Sequence, residues 1–244
     1  MTKIFEALQQ QPREEARVLT RLPETARETP PEKRPVFALE EPMMPLYQGL
    51  ENALPGPGCK LIQFVASRLG EGSSTMVREF ARVVSGKFGK AVLVLDADIA
   101  HPTQHLFLGV TPLHYLEEVL KNGLALETAI YRSRNGGPAV SLVSKNNGLI
   151  PELIDSPEID GLLEQLKKSF EFVLVDSPPV TDSSEALALS RKVDGVVLVV
   201  EAETTRWPVA EKAKEQILKN GGNILGVVFN KRKFYIPKSI YNRL

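Results

Sequence analysis

The stretch Ser67-Arg68-Leu69-Gly70-Glu71-Gly72-Ser73-Ser74-Thr75 lies between an apolar run and an amphipathic one. Glycines and short hydroxyl side chains let backbone N–H groups close around an anion, and a helix starting there adds its positive end. The pattern G-x-x-x-x-G-K-[ST] falls on Ser67 through Ser74. Gly72 and Ser74 match it, Ser67 takes the place of the first glycine, and Ser73 takes the place of the lysine. The backbone groups of Gly70, Glu71, Gly72, Ser73, Ser74 and Thr75 can still face phosphate, and Ser74 keeps the hydroxyl that would ligate Mg²⁺. The missing part is the ammonium that reaches the β- and γ-phosphates. One charge-assisted hydrogen bond is worth about 1.5–3 kcal/mol, so binding weakens about 10- to 150-fold. A single cation on the transferring phosphoryl group is worth about 10³–10⁵ in rate. Weakened nucleotide binding is therefore compatible with this loop; efficient phosphoryl transfer is not.

Carboxylates with matching chemistry stand further along. One apolar run ends in Leu95-Asp96-Ala97-Asp98, another in Val175-Asp176-Ser177-Pro178-Pro179. Two strands that each end in aspartate, with both ends facing one crevice, fit a single Mg–nucleotide site. For a substitute cation, Lys60 would sit at the far end of the strand before the loop, about 20 Å away at roughly 3.3 Å per residue. Arg68 lies within the loop and can swing towards phosphate. His101, His105 and His114 do not read as a zinc site, because Pro102 follows His101 and no third ligand is near.

Alternating strands and helices must position these groups. The apolar pattern predicts strands at 61–66, 91–95, 140–143, 172–175, 196–200 and 224–229. It predicts helices at 74–88, 113–120 and 158–169, one capped by Ser183 or Ser184, and one at 208–219 opened by Pro208 and closed by Gly221-Gly222. Leu46, Leu50 and Leu54 mark one face of a preceding helix. The fold class is α/β: a doubly wound, mostly parallel sheet with helices on both faces, of the P-loop NTPase kind, with ligands at the carboxyl ends of the strands. The chain divides into 1–44, a short amphipathic helix (1–10) and a Pro/Glu/Arg-rich tether; 45–230, the domain; and 231–244, a basic, aromatic tail without acidic residues.

The bulk properties suit that division. The 244 residues are 43% apolar and 25% charged with a formal net charge of zero, which gives no reason to expect nucleic acid as a partner. A single cysteine, Cys59, excludes a disulfide within the chain and suits a reducing compartment. No apolar run approaches the roughly 20 residues of a membrane helix. A soluble, cytoplasmic protein is expected, peripheral at the inner membrane through a partner or through its tail.

In order and spacing, residues 45–230 resemble the bacterial tyrosine kinases of polysaccharide export, within the wider MinD/ParA-like group of P-loop ATPases. Where that family has P-G-E-G-K-S-T, D-A-D-L-R-R-P and D-T-P-P, this chain has LGEGSST, DADIAHP and DSPP. The resemblance implies ATP or ADP and Mg²⁺ as cofactors. It implies Ser74 as a metal ligand, Asp96 and Asp98 near the metal and the attacking group, Asp176 as the carboxylate holding a metal-bound water, and Asn230 at the adenine base. It also implies a membrane-bound polysaccharide co-polymerase or export protein as partner, and homo-oligomeric assembly. The departures concern function: Ser73 replaces the lysine; Ala100 and His101 replace the arginines; only Tyr235 and Tyr241 remain of a tyrosine-rich tail; Gln48 and Glu51 replace the arginines used in ring assembly. Together these imply a degenerate kinase acting as regulator or scaffold, with weak or absent nucleotide binding. Two alternatives stay open: an active autokinase or ATPase using Arg68 or a cation in trans, and a MinD/ParA-like positioning ATPase.

Overall fold

The computed structural model describes residues 40–132, 137–144 and 151–233. The 1–10 helix, the tether up to residue 39 and the tail from residue 234 lie outside them. The Val- and Leu-rich runs form strands β1 (Lys60–Ala66), β2 (Val92–Asp96), β4 (Ala139–Leu142), β5 (Phe172–Asp176), β6 (Gly195–Glu201) and β7 (Ile224–Asn230). A two-residue strand β3 (Tyr131–Arg132) pairs antiparallel with β4, and every other pairing is parallel. The order across the sheet is β3-β4-β2-β5-β1-β6-β7. β1, β2, β4 and β5 are buried along their whole length, as strands covered on both faces must be, which is why they read as continuous apolar runs.

Helix α1 (Glu40–Ala53) packs on α2 (Ser73–Phe88). The second helix buries Met76, Val77, Phe80, Ala81 and Val84 on one stripe and stops at Gly89, left-handed at φ 64°, whose N–H donates to the Val84 carbonyl. Short α3 (Gln104–Leu108) and α4 (Leu116–Asn122) follow β2; α5 (Pro151–Ile154), α6 (Pro157–Ser169), α7 (Ser184–Ser190) and α8 (Trp207–Lys219) complete the set. Ser183 caps α7 by accepting from the Ala186 N–H. Among the described residues no helix is long and apolar enough to cross a membrane.

The doubly wound sheet is as expected from the sequence, with four differences. α1 begins ahead of Pro45, because Met43 is anchored in the core beside Leu50 and the ring of Tyr47 stacks on Phe88 at 4.0 Å. α4 starts at Leu116, later than the apolar pattern suggests. α3 and α5 are too short to leave a periodic signature, and β3 is an edge strand of two residues.

This topology decides where the site can be. β1 lies between β5 and β6, with β2 beyond β5, so the chain leaves β1 toward one side of the sheet and later crosses it from β5 to β6 on the other, and a crevice opens at its carboxyl end. In register, Asp96 stands opposite Asp176, and Asp176 opposite Phe64. Two carboxylates thus finish adjacent strands beside the loop that leaves β1. Cys59 precedes β1 at the strand's opposite, amino-terminal end; burial pushes its thiol up to about 11, which suits a structural role.

Candidate phosphate-binding site

The loop between β1 and α2 is tied down from beneath. The Glu71 side chain is fully buried and turned inward, accepting from the Ser67 N–H at 2.7 Å, the Ser67 hydroxyl at 2.8 and 2.9 Å, and the Arg68 N–H at 3.1 Å. The Thr205 hydroxyl, from the turn before α8, also donates to it. A buried carboxylate is tolerable only when so satisfied. Ser67, standing where the first glycine belongs, thereby exchanges backbone freedom for a hydrogen bond that fixes the loop. Any role of Glu71 toward phosphate falls to its backbone.

The loop is also held from the side. Gly70 and Gly72 are left-handed at φ 91° and 92°. A Cβ on Gly72 would lie 2.4 Å from the Asn230 Nδ2, so glycine is required there twice over. Asn230, at the end of β7, donates from Nδ2 to the Glu71 carbonyl at 2.8 Å. Lys231, left-handed at φ 55°, reaches from Nζ to the Gly70 carbonyl at 2.6 Å and to Glu201 at 3.2 Å. Above the loop opens a cleft of about 280 Å³, lined by Arg68, Gly70, Gly72, Ser73, Ser74, Thr75, Arg78, Asp98, His101 and Phe107 among others.

The strand-end carboxylates Asp96 and Asp176 are buried behind the loop. Asp176 accepts from the Ser74 hydroxyl at 3.1 Å and from Gln104 Nε2 at 2.7 Å. Gln104 Nε2 also donates to the Ser74 carbonyl at 2.8 Å. Asp96 accepts the N–H groups of Thr103 and Gln104 on Oδ2, both at 2.9 Å, while its buried Oδ1 has no hydrogen-bond partner. Burial pushes Asp176 up to about 7, with the neighbouring Asp96 charge adding to the effect. Burial likewise pushes Asp96 up to about 6, against the two backbone hydrogen bonds from 103 and 104. Asp98 accepts from the N–H groups of Ala100 and His101 at 3.2 and 3.0 Å, so it caps a turn in the cleft wall.

These donors suit Mg²⁺. The orphaned Asp96 oxygen, the Asp176 carboxylate and the Ser74 hydroxyl are hard oxygen ligands, and magnesium takes one or two carboxylates with water and substrate phosphates for the rest. Among the described residues no group of three or more His, Cys, Asp or Glu is placed to hold a metal without such help.

Of the sequence-predicted residues, the structure gathers the loop, Asp96, Asp98, Asp176 and Asn230 around one crevice. Lys60 is remote, paired with Glu51 at 3.2 Å. Arg68 is on the cleft, with its Nε 3.8 Å from Glu71. Three residues escape sequence reasoning. Gln104 looks like an ordinary polar residue until α3 folds it under Ser74. Arg78 reads as the polar face of α2, and its only signal is a position one turn beyond Thr75. Lys231 reads as the first residue of a basic tail.

The profile of the ParA family, described as NUBPL iron-transfer P-loop NTPase, matches residues 59–242. The tyrosine-protein kinase YwqD of Bacillus subtilis is 30% identical over 178 residues, covering 71% of this chain and 73% of that protein. The tyrosine-protein kinase CpsD of Streptococcus agalactiae is 27% identical over 190 residues, covering 76% and 78%. Among solved structures, the kinase domain of the Escherichia coli tyrosine kinase ETK superposes with a TM-score of 0.72 at 21% identity, covering 86% of each chain; that likeness speaks for the fold. Iron–sulfur clusters are held by cysteine thiolates, ordinarily four, and this sequence has one cysteine.

Proposed function

We propose that this chain, which belongs to the ParA family of P-loop NTPases and is related within it to the bacterial tyrosine kinases, is a kinase-like regulator or scaffold of exopolysaccharide or capsule synthesis. Ser73 carries the reading. It stands where phosphoryl transfer needs an ammonium, in a loop that is otherwise fully built. The partner is a membrane-bound polysaccharide co-polymerase or export protein, engaged from the cytoplasmic side. Nucleotide, when held, lays its phosphates on the backbone of residues 70–75. Mg²⁺, held by Ser74, Asp176 and Asp96, would supply neutralisation of phosphate charge there. Asn230 stands where the base is expected, with its amide committed to the loop.

The test is turnover. Purified protein incubated with Mg–ATP is expected to release no phosphate above an Asp176→Asn control and to acquire no phosphotyrosine at Tyr235 or Tyr241. Hydrolysis or autophosphorylation that the Asp176→Asn change abolishes would overturn the reading. One observation favours a second reading, a working ATPase or autokinase: Ser74 and Asp98 line the cleft, and Asp176 is hydrogen-bonded to the Ser74 hydroxyl beside Asp96 on the adjacent strand. In that reading Arg68, or a cation from another molecule, replaces the lysine, and an Arg68→Ala change or dilution of the protein abolishes turnover.

A further inference from the structure

We infer that Arg78, and not the loop arginine Arg68, is the cation that grips the phosphates of a nucleotide in this cleft. The inference rests on the nucleotide-site reading above and assigns the group that stands in for the lysine. Arg78 lies on α2, past the first helical turn. Side chains on a helix lean toward its N-terminus, and this one carries its guanidinium back to the loop. Its Nη2 lies 3.4 Å from the Thr75 hydroxyl, and the side chain forms part of the cleft wall with Ser73, Ser74 and Thr75.

Two features separate Arg78 from its rivals. It is buried, 8% exposed, so its charge acts through little water. Its guanidinium lies on the ring of Phe107, 3.5 Å from the centroid, and that shelf fixes the plane from which a forked pair of N–H groups can meet a phosphate. An acidic neighbour does not separate the two arginines, since Glu79 stands 3.6 Å from the Arg78 Nε and Glu71 3.8 Å from the Arg68 Nε. By contrast, the Arg68 side chain is 43% exposed, and Lys231 is engaged by the Gly70 carbonyl and Glu201.

The experiment is calorimetric titration of the full chain with ADP and with inorganic tripolyphosphate, in Mg²⁺, for wild type, Arg78→Gln, Arg68→Gln and Phe107→Leu. Wild type is expected to bind both. Arg78→Gln is expected to weaken both about tenfold or more, Arg68→Gln less than about threefold, and Phe107→Leu severalfold. Phe107 is half-exposed, so its substitution reports on the shelf even if Arg78→Gln fails to fold. No binding to wild type at millimolar ligand overturns the inference, as does loss in Arg68→Gln with Arg78→Gln or Phe107→Leu unaffected. Phosphate release is measured on the same samples. Turnover overturns the regulator reading while leaving Arg78 to be judged by the binding series, and absence of binding overturns Arg78 while leaving the regulator reading intact.

Discussion

Asp176 receives the Ser74 hydroxyl on one oxygen and the Gln104 amide on the other, and burial pushes it up to about 7 from an ordinary value of 3.8. Because the folded value is raised, the folded state binds more protons than the unfolded one between these limits. Stability from this group is therefore complete below about pH 4 and is lost as pH rises through 7; Asp96 acts in the same direction through about 6. An asparagine at 176 can accept from Gln104 and donate to Ser74 without the buried charge. Asp176→Asn is expected to melt several degrees higher than wild type at pH 8 and only about one to two degrees higher at pH 4. Differential scanning calorimetry at the two pH values checks this, and equal shifts at both would contradict it. The carboxylates were legible in the sequence because each ends an apolar run. Gln104 and Arg78 were not, because nothing in their local pattern says that α3 and the first turns of α2 face one another.

At the scale of elements, the strands read well because a parallel strand buried on both faces must be continuously apolar, as Phe172–Asp176 and Gly195–Glu201 are. α2 and α6 read well because their stripes are long. What the pattern missed is short or depends on tertiary anchors: α3, α5, β3, and the start of α1. The junction of β6 and β7 is a further case. A Cβ on Gly195 would lie 2.3 Å from the Leu225 Cγ of β7, and the ladder between these strands carries an irregularity beside Val196 and Val197. Gly195→Ala is expected to force Leu225 aside and cost about 1–3 kcal/mol. A melting temperature unchanged to within a degree would show that Leu225 repacks freely.

On the scale of the molecule, the P-loop frame is kept while one of the two positions matching assembly arginines pairs within the domain. Glu51, at a position where the resembling family has an assembly arginine, holds Lys60 at 3.2 Å, and Tyr47 beside it is stacked on Phe88. α1 is thus bound to its own domain. The chain is expected to elute as a monomer in size-exclusion chromatography with light scattering at micromolar concentration; a ring-sized species would show that other surfaces drive assembly. One contact has a mechanical meaning as well. The chain leaves the sheet through Asn230 and Lys231, the two residues that hold the carbonyls of Glu71 and Gly70. The tail and the phosphate loop are therefore coupled, like a drawstring and the mouth of a bag: tension on the C-terminal exit is shared between the loop and the last residue of β7.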